Sequence, residues 1–401
     1  MAEPHAAGTS GTSGTAGPRV GLVVNPIAGL GGRVGLKGTD GEATVARALA
    51  RGAVPEAGAR AAAALRRLVA AWPAGRPAPL VLVPDGEMGA VAASEAGVDH
   101  RAVGPSPGPG PTSAADTRRL ARALVDAGID LLLVAGGDGT ARDVCAAVGE
   151  DAPVLGIPAG VKILSGVFAT SPAAAGELAA SFLAASFLAA GGGATVVEEV
   201  VDLDEDAYRR GIVAPRLFGH LRVPRGRRLQ GRKSPSPPEA GAAAAAIAED
   251  VVERMTTGRA WVLGPGSTVR AIADRLGVPK TLVGVDVVEI GEDGPRVVVA
   301  DAAEADLLPV VRAGQATIVL TPIGGQGFLL GRGNQPISAA VLRAAGPDAI
   351  LVVAAAEKLA ALGGRALLVD TGDPALDAAL AGHARVVTGY HEAAIVRIAA
   401  A

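Results

Sequence analysis

The segment Gly136-Gly137-Asp138-Gly139-Thr140 combines one carboxylate, three glycines and one hydroxyl directly after an apolar run. Glycines let the backbone approach a phosphate without Cβ clashes, and exposed N–H groups can then bind the anion. Asp138 among such donors could hold a hydroxyl or a metal ion, and Thr140 could cap a following helix and add a hydroxyl. The alternative is a tight turn whose Asp only caps that helix. Leu155 to Lys162 (LGIPAGVK) again runs a strand into a Gly/Pro turn. There Lys162 is either a phosphate contact or a surface lysine. Asn25 opens a third loop of this kind, Asn25 to Gly32.

Two further loops lie late in the chain. Thr321-Pro322-Ile323-Gly324-Gly325-Gln326-Gly327 suits close backbone approach to a ligand or to another strand. Arg332 and Asn334 follow in GRGNQ, where a guanidinium could grip phosphate in bidentate fashion. Gly264-Pro265-Gly266-Ser267-Thr268 lies between an apolar run and a helix-like stretch from Val269 to Leu276. The first-turn amides of that helix would cradle an anion independently of GGDGT, or Ser267 and Thr268 would simply cap it.

Such loops need elements to hold them. Arg19–Val24, Pro79–Val83, Ile129–Ala135 (apolar apart from Asp130) and Val154–Ile157 read as buried strands. Helices are expected from Asp116-Thr117 to Ala127 and from Ala141 to Val148. Strands alternating with helices and buried on both faces indicate a parallel α/β sheet. Its ligands sit beyond the carboxyl ends of the strands, where three of the glycine loops collect. Strand, loop and helix resume after Ala260, and AILVVAA, RALLVD and ARVVTGY are three late strands. The expected division is a disordered leader over 1–18, an α/β domain over 19–195 and a second domain over 196–340, mixed α/β or β-rich. A C-terminal α/β segment over 341–401 would pack back on both. The basic, Pro-rich stretch from Pro224 to Ala248 reads as an exposed loop ending in a helix.

Composition narrows the chemistry. With 401 residues, 49% of them hydrophobic, the chain can bury two cores. A net charge of −3 leaves no broad basic field for nucleic acid or an anionic membrane. Cys145, the single cysteine, cannot close an intrachain disulfide, which fits a reducing compartment. The five histidines show no close metal-ligand pairing. Leu178 to Val197 is uncharged but rich in Ala, Ser and Gly, so it reads as a buried or half-buried helix rather than a membrane span. The N-terminus lacks the order of a secretory signal, and a cytoplasmic location is expected. Asp202, Asp204, Glu205 and Asp206 cluster in VVDLDED. Asp204 and Glu205 are weak candidates for Mg²⁺, against a solvated acidic turn.

Taken together, NPIAGLGG, GGDGT, LGIPAG and TPIGGQG resemble the shared plan of NAD kinases and diacylglycerol/sphingosine-type lipid kinases. The likeness is greatest to the ATP-NAD kinase-like branch that includes the acetoin-catabolism X proteins, and it spans residues 19 to 392. It implies a first domain of NAD kinase/diacylglycerol kinase type that binds nucleotide, with Asp138 as general base or orienting carboxylate on the acceptor hydroxyl. Gly136, Gly137, Gly139 and Thr140 would line the nucleotide phosphates. Thr321, Gly324, Gly325 and Gly327 would form a second wall, although NAD kinases carry a TPTGSTAY-like segment where Ile-Gly-Gly-Gln stands here.

The implied activity is phosphoryl transfer from ATP, or polyphosphate, with Mg²⁺, to a nucleotide hydroxyl, foremost the 2′-OH of NAD to give NADP. The implied partners are nucleotide substrates, with no nucleic acid and no membrane, in a homo-oligomer. Alternatives are a kinase for another small-molecule or lipid-head-group hydroxyl, and a catalytically silent nucleotide-binding regulator.

Overall fold

Apolar runs without alternation form strands covered on both faces, and they build the first sheet. The computed structural model describes residues 17–39, 41–106, 112–188, 193–203, 215–226, 229–230, 240–314 and 316–401. The strands are β1 (Arg19–Val24), β2 (Leu80–Val83), β3 (His100–Ala102), β4 (Leu131–Gly136) and β5 (Val154–Pro158). All neighbours are parallel, in the order β3-β2-β1-β4-β5. Every residue of β4 is buried.

Around this sheet lie α1 (Glu42–Ala50), α2 (Ala57–Ala71), α3 (Ala90–Glu95), α4 (Ala114–Asp126), α5 (Asp138–Val148) and α6 (Pro172–Leu188). Ala61, Ala64, Leu65 and Leu68 make the buried stripe of α2 at helical spacing. Helix α4 starts at Ala114, ahead of the expected Asp116. Ser113 caps it, and Asp116 is instead the reciprocal partner of that capping box. The Ala-rich α6 buries Ala175, Leu178, Ala179 and Leu183 against the core, as a half-buried helix should. Among the described residues no helix is long and apolar enough to cross a membrane.

An antiparallel pair, β6 (Thr195–Leu203) and β7 (Pro215–Pro224), follows. The acidic stretch begins inside β6 rather than in a solvated turn. Asp202 is buried there and bonded to Arg142, while Asp204, Glu205 and Asp206 lie outside the described residues. Most of the basic, Pro-rich stretch also lies outside them, up to α7 (Ala240–Glu253).

The second domain carries β8 (Ala260–Leu263), α8 (Ser267–Leu276), β9 (Asp286–Gly291), β10 (Gly294–Val299), α9 (Glu304–Arg312), β11 (Ala316–Leu320) and β12 (Phe328–Leu330). Next come β13 (Ile350–Val353), β14 (Leu367–Val369), β15 (Gly382–Gly389) and β16 (Glu392–Ala400). They form one mixed sheet in the order β10-β9-β8-β11-β13-β15-β16-β14-β12. β11 pairs with β13 across position 340, so residues 341–401 contribute β13 to β16 to this sheet. The chemical reason is plain: Ile350 to Val353 is an apolar strand whose backbone groups need a neighbour, and β11 supplies it.

Candidate functional site

In the order β3-β2-β1-β4-β5, the chain leaves β1 towards one edge and returns to β4 on the other side of β1. That reversal is a topological switch point, and the loops at the carboxyl ends of β1 and β4 diverge there to leave a crevice. A cavity of about 930 Å³ occupies it. Asn25, Gly29, Gly137, Asp138, Thr140 and Lys162 are among its lining residues. Three of the five glycine loops singled out in the sequence therefore meet at one place.

Their fit is set by glycine. A Cβ on Gly160 would stand 2.7 Å from the Cα of Gly137, so the GGDGT and IPAG loops touch backbone to backbone. The amides of Ala159 and Gly160 donate to the Gly136 carbonyl at 2.8 and 3.0 Å. Asn25 ties in the first loop: its amide Nδ2 donates to Thr140 Oγ1 at 3.0 Å, and its backbone N–H to the Ala135 carbonyl at 2.9 Å.

The helix after GGDGT starts at Asp138, not at Ala141, with Gly137 as its N-cap and no side-chain cap. Thr140 accordingly sits inside the first turn. Its hydroxyl serves Asn25 instead of capping. The first-turn amides of α5 have no intrahelical acceptor and belong to residues lining the cavity.

Asp138 is buried and accepts three hydrogen bonds. Leu164 N–H donates to Oδ2 at 2.7 Å, and Ser165 donates to Oδ1 through its N–H at 3.0 Å and its hydroxyl at 2.7 Å. Burial pushes the Asp138 carboxyl up to about 7, the three donors restrain that rise, and the Asp202 charge adds to it. Ser165 Oγ also lies 2.9 Å from the Val201 carbonyl and accepts from Val201 N–H at 3.0 Å. A hydroxyl has one proton, so it can serve the ionised carboxylate or turn to Val201 when Asp138 is protonated. Both protonation states of Asp138 are thus accommodated.

Charges of both signs surround this group. Arg142 pairs with Asp202 at 2.7 Å, and Arg118 pairs with Asp143 at 2.7 Å. Lys162 Nζ lies 3.5 Å from the Lys37 carbonyl, and Lys37 is ion-paired with Asp301 of the second domain. An apolar wall of Val45, Ala46 and Leu49 from α1 completes the cavity.

Arg332 lines a smaller pocket that shares Gly29 and Gly160 with this cavity. Thr321, Gly324, Gly325, Gly327, Arg332 and Asn334 do not line this cavity. Arg332 is buried in an ion triad with Asp370 and Arg60, donates to the Thr170 carbonyl at 3.0 Å and lies 4.4 Å over the Phe328 ring. These partners take both terminal nitrogens, while Nε is buried with no hydrogen-bond partner among the described residues. Asn334 closes its own turn, accepting from Gly331 N–H and donating to the Leu329 carbonyl. Gly325 gives its carbonyl to Arg365, and Gly327 N–H donates to the Ile323 carbonyl.

Gly264, Gly266, Ser267 and Thr268 make a second cluster at the N-terminus of α8, with Lys358 Nζ 3.4 Å from Thr268 Oγ1 and 3.1 Å from Thr321 Oγ1. Sequence reasoning missed Ser165, Arg142, Lys37 and the whole of α1. Among the described residues no three His, Cys, Asp or Glu side chains converge as a metal site.

The family model described as the ATP-NAD kinase N-terminal domain matches residues 20–187, and that of the ATP-NAD kinase C-terminal domain matches residues 258–398. The chain belongs to the ATP-NAD kinase-like family and carries a kinase-type phosphotransferase domain pair. No curated protein and no solved structure matches the chain.

Proposed function

We propose that this protein transfers the terminal phosphoryl group of ATP to the 2′-OH of NAD, in the cytoplasm, with Asp138 as the base that receives the hydroxyl proton. One observation carries the reading: a buried carboxylate with its pKa raised to about 7 opens onto a 930 Å³ cavity at the switch point of a doubly wound sheet. Such a volume is at the upper end for ligand pockets and suits nucleotide-sized substrates. A base poised near the working pH is half ionised and still basic enough to accept a proton. Phosphoryl transfer asks little else of a protein than positioning and charge neutralisation.

The geometry supports a division of labour. The α5 first-turn amides and the glycine backbones would hold phosphate oxygens, with Lys162 beside them. Asp138 would take the proton from the acceptor hydroxyl, and the Ser165 hydroxyl would then turn from Asp138 to the Val201 carbonyl. The described residues do not fit a protein-built Mg²⁺ site, so Mg²⁺ would enter on the phosphates of ATP, and no step is assigned to a protein-held metal. Bound there, it would neutralise phosphate charge.

The test is an acceptor panel: purified protein, Mg²⁺, γ-labelled ATP, and NAD, NADH, nucleosides, sugars and diacylglycerol in parallel. Label is expected in NADP. Label in a lipid or sugar alone, or in no acceptor at all, overturns the NAD assignment.

A further inference from the structure

We propose that Gln326, carried by the second domain, is a positioning residue for Asp138 and acts through the peptide group between Ile163 and Leu164. This role rests on the reading of Asp138 given above, but its geometry stands independently. The Leu164 N–H that donates to Asp138 Oδ2 at 2.7 Å shares one planar amide with the Ile163 carbonyl. That carbonyl accepts from Gln326 Nε2 at 2.9 Å and from Gln230 Nε2 at 2.9 Å, which fills both of its lone pairs. Both glutamine side chains are buried. Hydrogen bonds in series polarise one another, so donors on the carbonyl make the N–H of the same amide a stronger donor.

The neighbouring contacts point the same way. Gly333 N–H donates to the Val161 carbonyl at 2.9 Å, the Gln335 amide reaches the same oxygen, and Arg60 holds the Pro158 carbonyl. Arg60 is in turn ion-paired with Asp370 of the second domain. The strap from Pro158 to Ser165 is therefore fastened by its Val161 and Ile163 carbonyls to the second domain and by its Leu164 and Ser165 amides to Asp138. Gln326 is the residue whose bond falls on the amide that touches the carboxylate. Within TPIGGQG it is the glutamine that makes the connection.

The charged groups that share the cavity with Asp138 are Asp202 on β6, Arg142 and Asp143 on α5, Glu42 on α1, and Lys37 and Lys162 in the loops. All remain in place in the experiment. Full-length wild type, Gln326→Met, Asp138→Asn and the double variant are melted from pH 4 to pH 9. The difference in Tm with and without Asp138→Asn reports the titration of Asp138 in the folded protein and assumes no activity.

Gln326→Met keeps the length of the side chain and removes the donor. It is expected to move that titration upward by about half a pH unit or more, since a weaker Leu164 donor stabilises the carboxylate less. The acid limb of kcat should move with it, kcat at pH 7 should fall about two- to threefold, as a midpoint about half a pH unit higher dictates, and KM should stay within about twofold. A residue that only supports the fold would lower Tm equally with and without Asp138→Asn and leave the midpoint unmoved. That outcome overturns the proposal.

If Gln326→Met does not fold, Gln326→Glu decides. Protonated, Glu can still donate to the Ile163 carbonyl, so its defect should grow as pH rises; a defect independent of pH overturns the proposal. A titration that moves in a protein phosphorylating no acceptor would uphold Gln326 and reject the kinase reading alone.

Discussion

Two loops of this protein look alike in sequence and differ in what they can do. Gly136–Thr140 and Gly264–Thr268 each leave a buried strand, pass through glycines and enter a helix within one to three residues. Both therefore present first-turn amides. The first adds a buried carboxylate with its pKa near 7, a strap of opposing donors and a large cavity. The second has Lys358 lying across two threonine hydroxyls and no carboxylate in its loop. A helix N-terminus attracts anions in either place, but only the first loop sets a proton acceptor beside it. On the proposed function, that difference would separate binding from chemistry.

The sharpest way to break that contrast is Asp138→Asn. The amide keeps the size of the side chain and loses its basicity, so kcat should fall by about two to four decades, the usual range for a general base. A steady-state assay with the fold checked by circular dichroism measures it; near wild-type kcat would refute the role. The same variant has a stability signature. The folded pKa of about 7 lies above the unfolded value near 3.8, so the folded state binds the proton more tightly. The stability this adds is fully present below about pH 4 and is lost as pH rises through 7. Asp138→Asn removes that dependence, so its Tm relative to wild type should climb from pH 4 to pH 8. A flat difference would mean that Asp138 does not titrate in that window.

Next in size is Gly160→Ala. The new Cβ would stand 2.7 Å from the Gly137 Cα, which is backbone and cannot rotate away. The two loops must part, at a cost of about 1 to 3 kcal/mol for overpacking of this kind. Activity should fall by more than tenfold through misplacement of Asp138, with a lowered Tm. Gly266→Ala is the control in the other loop. Its Cβ meets only the Thr321 methyl at 2.9 Å, though at a φ of +116°. It should lower Tm with little change in kcat.

Ser165→Ala comes third. It deletes one of the three donors that restrain the rise of the Asp138 pKa. The acid limb of kcat should shift to higher pH, and kcat at pH 7 should drop several-fold, in line with about 1 kcal/mol for such a bond. A limb that moves downward would contradict the hydrogen-bond assignment.

How far the sequence discloses all this depends on where each partner comes from. β1, β4 and β5 are legible because a strand covered on both faces is a continuous apolar run, and the glycine loops follow directly from them. The start of α5 is not, because a Gly N-cap without a side-chain bond leaves only periodicity to go on, and that begins later. Ser165 gives no local cue: it is one serine in an apolar stretch, brought to Asp138 from 27 residues away. Arg332 illustrates the converse. Its type and glycine neighbours suit phosphate, yet Asp370, 38 residues further on, and the Thr170 carbonyl, 162 residues back, take its two terminal nitrogens. Burial pulls its pKa down while the Asp370 charge opposes that. Spacing along the chain cannot reveal a partner supplied by the fold. The β6–β7 pair is hidden for a related reason, since Asp202 reads as solvated until Arg142 of α5 neutralises it.

The smallest expected effect belongs to Lys358→Met, and it tests the other side of the contrast. Lys358 bridges Thr268 and Thr321, so its loss should soften the junction of α8 with the loop after β11 and lower stability by about 1 kcal/mol, the scale of one charge-assisted bond or two weak ones. Neither threonine lines the cavity that holds Asp138, so kcat should stay within about twofold and its pH limb should not move. An anion held at this second loop, as its sequence suggests, would use the Lys358 ammonium together with the α8 amides. Inorganic phosphate should then raise the Tm of Asp138→Asn protein, and Lys358→Met should abolish that rise. If Lys358→Met instead cuts kcat tenfold with Tm unchanged, the two loops serve one reaction, and the separation of binding from chemistry fails. If phosphate protects both proteins equally, the second loop is a structural joint whose lysine simply completes the hydrogen bonds of two threonine hydroxyls.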